Sequence, residues 1–259
     1  MSTLAPNTEN EDEEMSLVEH LVDLRRSLIN ILLVMLGVFV LMLPFNQSIY
    51  ELFARPVLMN LMPGQKMLAQ QPIDVFLTPI KVCFFMAVLI SIPWTLYQIW
   101  RFVAPGMYRH EKRLMLPMVV SSTLLFYLGV LFAYFVILPL MFSFLVKTGA
   151  SLQGVELMPD ITSYVSLSLA MFMAFGLVFE VPVATVILIR MGVVEIKTLT
   201  AKRPYIILIA FVVGMVLTPP DIFSQTLLAV PMLVLFEIGI LVAKYWQGNT
   251  EESEEEKAR

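Results

Sequence analysis

Long uncharged apolar runs, separated by short polar connections, set the layout of this chain. A helix needs about 20 apolar residues to cross the ~30 Å hydrocarbon core of a bilayer. Residues 27–43 form one such run, which stops near Pro44. A second lies between Lys81 and Arg101, with no charge between them. No charge occurs from Leu114 to Val146, enough for one long, tilted helix. A fourth run covers about 163–189 and is interrupted by Glu180 and Pro182. Residues 204–217 make a shorter run, which reaches only ~20 Å at about 1.5 Å per residue. The last, 222–242, opens with Ser224, Gln225 and Thr226, so its purely apolar part is also short. Thr218, Pro219, Pro220 and Asp221 form a tight turn between these two runs, which read as a short helical hairpin. The pattern predicts an all-α polytopic membrane protein with six transmembrane helices, the fifth and sixth of them short.

The connections carry their own signals. Ser16 and Glu19 form a capping box ahead of the first span and predict a helix start there. Leu17, Leu21, Leu24 and Leu28 then line one side, as in an amphipathic helix that runs into a span. Residues 45–77 hold Arg55, Pro56, Pro63, Gly64 and Asp74 and read as a long connection too polar to cross. Pro93 is expected to kink the second span, and Trp94, Tyr97 and Trp100 near its end fit an interfacial aromatic belt.

Composition agrees with this layout and adds polarity. The 259 residues are 58% hydrophobic and 15% charged. Soluble domains are about a quarter charged. The formal net charge of −4 conceals a basic body. Glu9, Glu11, Asp12, Glu13 and Glu14 crowd one end, and Glu251, Glu252, Glu254, Glu255 and Glu256 the other. Residues 1–15 and 247–259 are therefore expected to be disordered acidic ends around a membrane domain at 16–246. Six spans place both termini on one side. Arg25, Arg26, Arg101, Arg109, Lys112, Arg113, Arg190, Lys197, Lys202, Arg203 and Lys244 fall on that side. Arg55, Lys66 and Lys147 fall on the other, with Lys81 at a span edge. Positive residues favour the cytoplasmic side, so both termini are expected there. The acidic, polar N-terminus lacks the look of a cleavable signal peptide.

Candidate chemistry is sparse. There is no phosphate-binding G-x-x-x-x-G-K-[ST], no H-E-x-x-H and no G-x-S-x-G. Cys83 is the one cysteine and sits in an apolar run, as a small buried hydrophobe would. His20 and His110 fall at the expected cytoplasmic surface. No catalytic residues, metal site or cofactor are expected. Three acids stand out. Glu111 lies among Arg101, Arg109, Lys112 and Arg113, either as a first-turn acid favouring a helix dipole or as the receiver of a cationic ligand. Asp23 stands three residues before Arg26, either in a weak surface pair or in the same receiving role. Glu180 is costly inside an apolar span and must face a packed interior or water, either as an interhelical polar contact or at a transport site. Asp221, in the outer turn, suits a helix cap. Glu237 is a weaker candidate, near the cytoplasmic boundary.

These stretches also carry a family pattern. E-H-L-V-D-L-R-R-S-L at 19–28, F-V-A-P-G-M-Y-R-H-E-K-R at 102–113, F-G-L-V-F-E-V-P-V at 175–183, K-R-P-Y at 202–205 and G-M-V-L-T-P-P-D at 214–221 resemble the TatC family, in the same order. That family is the multispanning core of the twin-arginine protein translocase. The resemblance implies a concave, cupped six-helix bundle in the bacterial inner membrane. It implies a receptor for the Arg-Arg signal peptides of folded precursor proteins. It implies partnership with TatA- and TatB-type single-span subunits, self-association, and transport driven by the proton-motive force. The family's signal-binding positions correspond here to Asp23, Arg25, Phe102 and Glu111. The first is usually glutamate, so Asp23 keeps the charge but shortens the reach. The resemblance also places Glu180 on the concave face, and Pro56 and Asp221 in a sensitive outer cap and turn. A carboxylate can grip a guanidinium fork with two hydrogen bonds, so two adjacent arginines call for two separated acids. The alternative is a proton-coupled secondary transporter of a small solute using Glu180. It would call for related halves with broken helices, and no internal repeat is visible.

Overall fold

The computed structural model describes residues 9–60, 68–103, 115–150, 160–217 and 222–258. In chain order, α1 is Glu9–Met42 and α2 is Asn46–Asn60, joined by a 3-10 turn at Leu43–Phe45. Next come α3 (Asp74–Val103), α4 (Met115–Phe132) and α5 (Leu138–Ala150), the last two joined by a π-helical turn at Ala133–Ile137. Then follow α6 (Ile161–Phe179), α7 (Val181–Arg190), α8 (Ile196–Ala201), α9 (Arg203–Leu217) and α10 (Ile222–Ala258). Among the described residues five stretches are long and apolar enough to cross a membrane: Leu21–Arg55, Asp74–Phe102, Leu116–Phe144, Ile161–Arg190 and Gln225–Tyr245. Arg203–Leu217 is a sixth, shorter apolar helix.

Three expectations change in detail. α1 begins at Glu9, ahead of the capping box. The connection after the first span is not irregular throughout, because α2 occupies its first half. Phe53 and Ala54 of α2 are buried, and the Phe53 ring meets Phe172 of α6 edge-on at 5.6 Å. The fifth span is short as expected, but the sixth is longer. Gln225 belongs to its apolar stretch because its Nε2 donates to the Phe211 carbonyl at 2.8 Å, which satisfies the amide inside the hairpin.

The core mixes aromatic rings with aliphatic side chains. Phe126, Phe175, Met171 and Ile137 are fully buried at the junction of α4, the π turn and α6. Large apolar side chains such as Leu32, Leu36, Leu124 and Leu208 point outwards, where lipid takes the place of a packed interior. Helices in lipid associate through close packing and interhelical hydrogen bonds rather than hydrophobic burial. Both are present. A Cβ on Gly176 would lie 2.6 Å from the Phe126 ring, and one on Gly129 would collide with the Phe175 carbonyl oxygen. So α4 and α6 approach closely only because glycine stands at both positions. Tyr127 Oη donates to the Leu89 carbonyl at 2.8 Å and ties α4 to α3.

The prolines explain the two helix interruptions. Pro139 has no N–H, and its ring crowds the preceding turn. The π turn at 133–137 absorbs that conflict within one continuous crossing. Pro182 stands in the first turn of α7, just past Glu180, where the missing N–H costs nothing. On the far side from the basic connections, Ile161 N–H donates to the Leu68 carbonyl at 2.9 Å. Asp160 caps α6 there by accepting from Ser163 N–H at 2.8 Å.

Candidate functional site

A polar recess of about 30 Å³ lies between α1 and α3. Asp23, Arg26, Ser27 and Asn30 form one wall, and Gln98, Arg101 and Phe102 the other. Helical spacing makes both walls. Positions i, i+3, i+4 and i+7 share one face of a helix, and so do i, i+3 and i+4. The two polar stripes face each other where the antiparallel neighbours α1 and α3 pack.

The electrostatics suit a cation that brings its own hydrogen-bond donors. Asp23 is exposed, and among the described residues it pairs with no cation, Arg26 included. The weak surface pair considered from the sequence is therefore absent. Gln98 is only 1% exposed, and its Oε1 has no hydrogen-bond partner among the described residues. A buried acceptor left unmade costs about 1–3 kcal/mol, so a ligand donor placed there would recover that loss. Arg26 and Arg101 hold the walls positive, which penalises any cation that does not reach the acid.

Asp23 and Phe102, far apart in the chain, are thus brought together. Arg25 is not part of the recess. It is exposed on α1 and, two residues from Asp23, points to a different side of the helix. Glu111 and Asp221 lie outside the described residues. Pro56 lies within α2, whose neighbouring residues Phe53 and Ala54 are packed into the bundle. Gln98 was missed in the sequence, although a lone amide in an uncharged run, four residues before Phe102, was a legible signal.

Glu180 occupies the junction between α6 and α7, as its sequence neighbourhood suggested. Ser122 of α4 stands beside it. Ser122 accepts from Trp100 Nε1–H of α3 at 3.2 Å. Glu180 Oε1 is buried with no partner among the described residues. The acid thus adjoins the polar contact between α3 and α4 and carries a buried oxygen that no described residue bonds. Glu237 is paired: Arg203 Nη2 donates to its Oε2 at 2.7 Å, joining the start of α9 to α10. Both side chains are nearly half exposed, so this pair contributes little. Among the described residues no cluster of His, Cys, Asp or Glu could hold a metal ion.

Apolar crossings, polar gaps between them and one small acid-bearing recess define a multi-pass membrane protein of the binding kind. Comparison with known proteins makes that specific. The sequence profile of the family described as "Sec-independent protein translocase protein (TatC)" matches residues 19–231. A protein of that name from Haemophilus influenzae is 48% identical over 244 residues, covering 94% of each chain. Its counterpart from Escherichia coli strain K12 is 46% identical over the same share of both. A solved structure described as "Crystal Structure of Twin Arginine Translocase Receptor- TatC" aligns with a TM-score of 0.79 at 36% identity, covering 87% of this chain and 98% of its own. The chain belongs to the TatC family, the multi-pass component of the Sec-independent protein translocase.

Proposed function

We propose that this chain is the signal-peptide receptor and core scaffold of the twin-arginine translocase, and that it binds the Arg-Arg motif of folded precursors. The observation that carries this reading is the recess where Asp23 and Phe102 meet across α1 and α3. Asp23 takes one guanidinium in a bidentate pair, and Glu111, from the connection between α3 and α4, takes the other. Gln98 Oε1 supplies a neutral acceptor at the buried end of the recess. Phe102 offers a ring face to the signal's apolar residue or to a guanidinium plane. Arg25 stands outside the recess and acts on the flanking part of the peptide. The chain performs no bond-making step. It binds, orients and hands on.

The rest of the assignment follows from family membership together with residue placement. Both termini and the basic connections lie at the cytoplasmic face of the bacterial inner membrane. TatA- and TatB-type single-span subunits and further copies of this chain assemble around it, and the proton-motive force drives transport. Glu180, beside Ser122 at the α6–α7 junction, is the intramembrane polar site of transport. Pro56 and Asp221 shape the outer cap and turn. Nothing in the described residues favours a solute carrier.

The test is binding of a fluorescent signal peptide to the purified full chain in detergent, Arg-Arg against Lys-Lys. Arg-Arg should bind more tightly. Asp23→Ala and Glu111→Ala should each weaken it about tenfold or more (~1.4 kcal/mol). Equal binding of both peptides, indifferent to either substitution, would sink the two-acid receptor.

A further inference from the structure

A second hollow among the described residues is far larger than the recess. A groove of about 520 Å³ runs between α4, α6–α7 and α10. Along α4 its wall extends from Pro117 to Leu128, and along α6–α7 from Arg190 back to Phe179. Ile238 and Val242 of α10 form the third side. Its walls are apolar except at one end, where Arg190 stands. Ser121 is the one hydroxyl in it, and that hydroxyl already donates to the Met118 carbonyl of its own helix at 3.0 Å. The flanks are open sideways: Leu128 is 55% exposed and Ile238 42%.

We infer that this groove holds one acidic phospholipid of the leaflet on the Arg190 side, its acyl chain along α4 and α7 and its phosphate at Arg190. Length argues for a lipid. Eleven helical steps on either wall, at about 1.5 Å each, give ~16 Å. That is close to half of the ~30 Å hydrocarbon core, the depth of one leaflet. A transmembrane helix of a partner would need the full ~30 Å and would overrun the groove by about half its length. Charge argues for an acidic headgroup. Arg190 ends both α7 and the apolar crossing Ile161–Arg190, where the hydrocarbon gives way to headgroups if that stretch spans, and an arginine just at the membrane surface attracts anionic lipid. The guanidinium can meet phosphate oxygens with a fork of hydrogen bonds. Chemistry argues for hydrocarbon in the remainder. Away from Arg190 the groove's one side-chain hydroxyl, Ser121, is already bonded within its own helix, so a non-helical peptide backbone laid in it would find no side-chain partner there.

The proposal is independent of the signal-peptide site and is tested without it. The full chain is purified in dodecyl maltoside and stripped of lipid. It is then offered equimolar dioleoylphosphatidylglycerol and dioleoylphosphatidylcholine, and bound lipid is counted by native mass spectrometry. Phosphatidylglycerol should be retained about fivefold over phosphatidylcholine. Arg190→Gln should bring that ratio to about one, and Arg190→Lys should restore most of it. Val186→Trp, which fills the groove, should lower retention of both lipids. No preference in the wild-type chain, or an undiminished preference in Arg190→Gln, overturns the proposal. So does wild-type retention in Val186→Trp. A single-span partner is the competing occupant of the groove. If added partner shields Val186→Cys from a thiol reagent while bound phosphatidylglycerol leaves it reactive, the groove is a helix-docking face and the lipid reading fails.

Discussion

The α1–α3 recess and the α4–α7–α10 groove lie toward the same basic end of the molecule and are built by opposite means. The recess is small, about 30 Å³, and nearly every residue around it is polar. The groove is far larger, about 520 Å³, and nearly every residue around it is apolar. In a soluble protein the large apolar hollow would be the default binding site. Within a bilayer that order reverses. An apolar hollow open to the side costs little, because lipid tails fill it. A polar recess with an unmatched buried amide has no such filler, because lipid tails cannot donate to it. Polarity therefore marks the specific site better than volume does.

Three substitutions separate the two regions, beginning with the largest effect. Gly176→Leu drives a side chain into the Phe126 ring and parts α6 from α4, one boundary of the groove. It should destabilise the chain by about 3 kcal/mol, the upper range for an overpacked core. A lowered melting temperature in detergent would report it. The recess belongs to another helix pair, so the folded fraction should keep its signal-peptide affinity. A parallel loss of affinity would show that the two regions are not separate. Gln98→Leu acts on the recess alone. Removing a buried acceptor from a charged donor costs about 1.5 kcal/mol, roughly tenfold in affinity. Isothermal titration with an Arg-Arg peptide should show this, with lipid retention unchanged. An unaffected Kd would remove Gln98 from the site.

The smallest effect is expected at Asp160, remote from both. Partial burial pushes this carboxyl up, but hydrogen bonds led by the Ser163 backbone N–H outweigh it, and the group titrates below its ordinary value. A depressed native value means that the unfolded chain binds the proton more readily. The cap therefore contributes fully above the ordinary carboxylate range and is lost as pH falls through the lowered native value. Asp160→Ala should cost about 1 kcal/mol at neutral pH, as loss of a helix N-cap does. The gap in melting temperature between variant and wild type should close on acidification. A gap that widened in acid would refute the capping role.

Much of the fold was legible because membrane crossing imposes simple rules. Uncharged length located the spans, and Glu180 with Pro182 located the break in the fourth. Packing between distant segments was less legible. Nothing in 45–77 announced that Phe53 would bury against Phe172, since the surrounding prolines and charges looked like a connection. Gln225 looked like the polar start of a shortened helix because its partner, the Phe211 carbonyl, lies on the previous helix. Part of the recess was read directly, Asp23 with Arg26 three residues on; Ser27 and Asn30 share their helical spacing but were not singled out. Gln98 went unread because an amide among aromatics draws less notice than a charge. The groove could not be read at all. Val186 and Ile238 have the same side-chain character as residues facing open lipid, and only the meeting of three helices makes them walls.

The π turn at 133–137 has a consequence for register. An α-helix advances about 100° per residue, so each face of the third crossing is a fixed phase. A π turn carries one residue more than an α turn and resets that phase partway up. Below it, Ser122 and Phe126 point into the bundle; above it, Leu138 and Met141 do. The extra residue is what lets both halves of one rod aim inwards despite Pro139. Deleting a single residue from Ala133–Ile137 would leave composition and hydropathy almost unchanged. It would also rotate the whole outer half by about a quarter turn, taking Leu138 and Met141 out of the core and Phe144 away from its stack on Phe223. In this helix one residue works as a clutch between two gears, and its worth lies in the count rather than in the side chain.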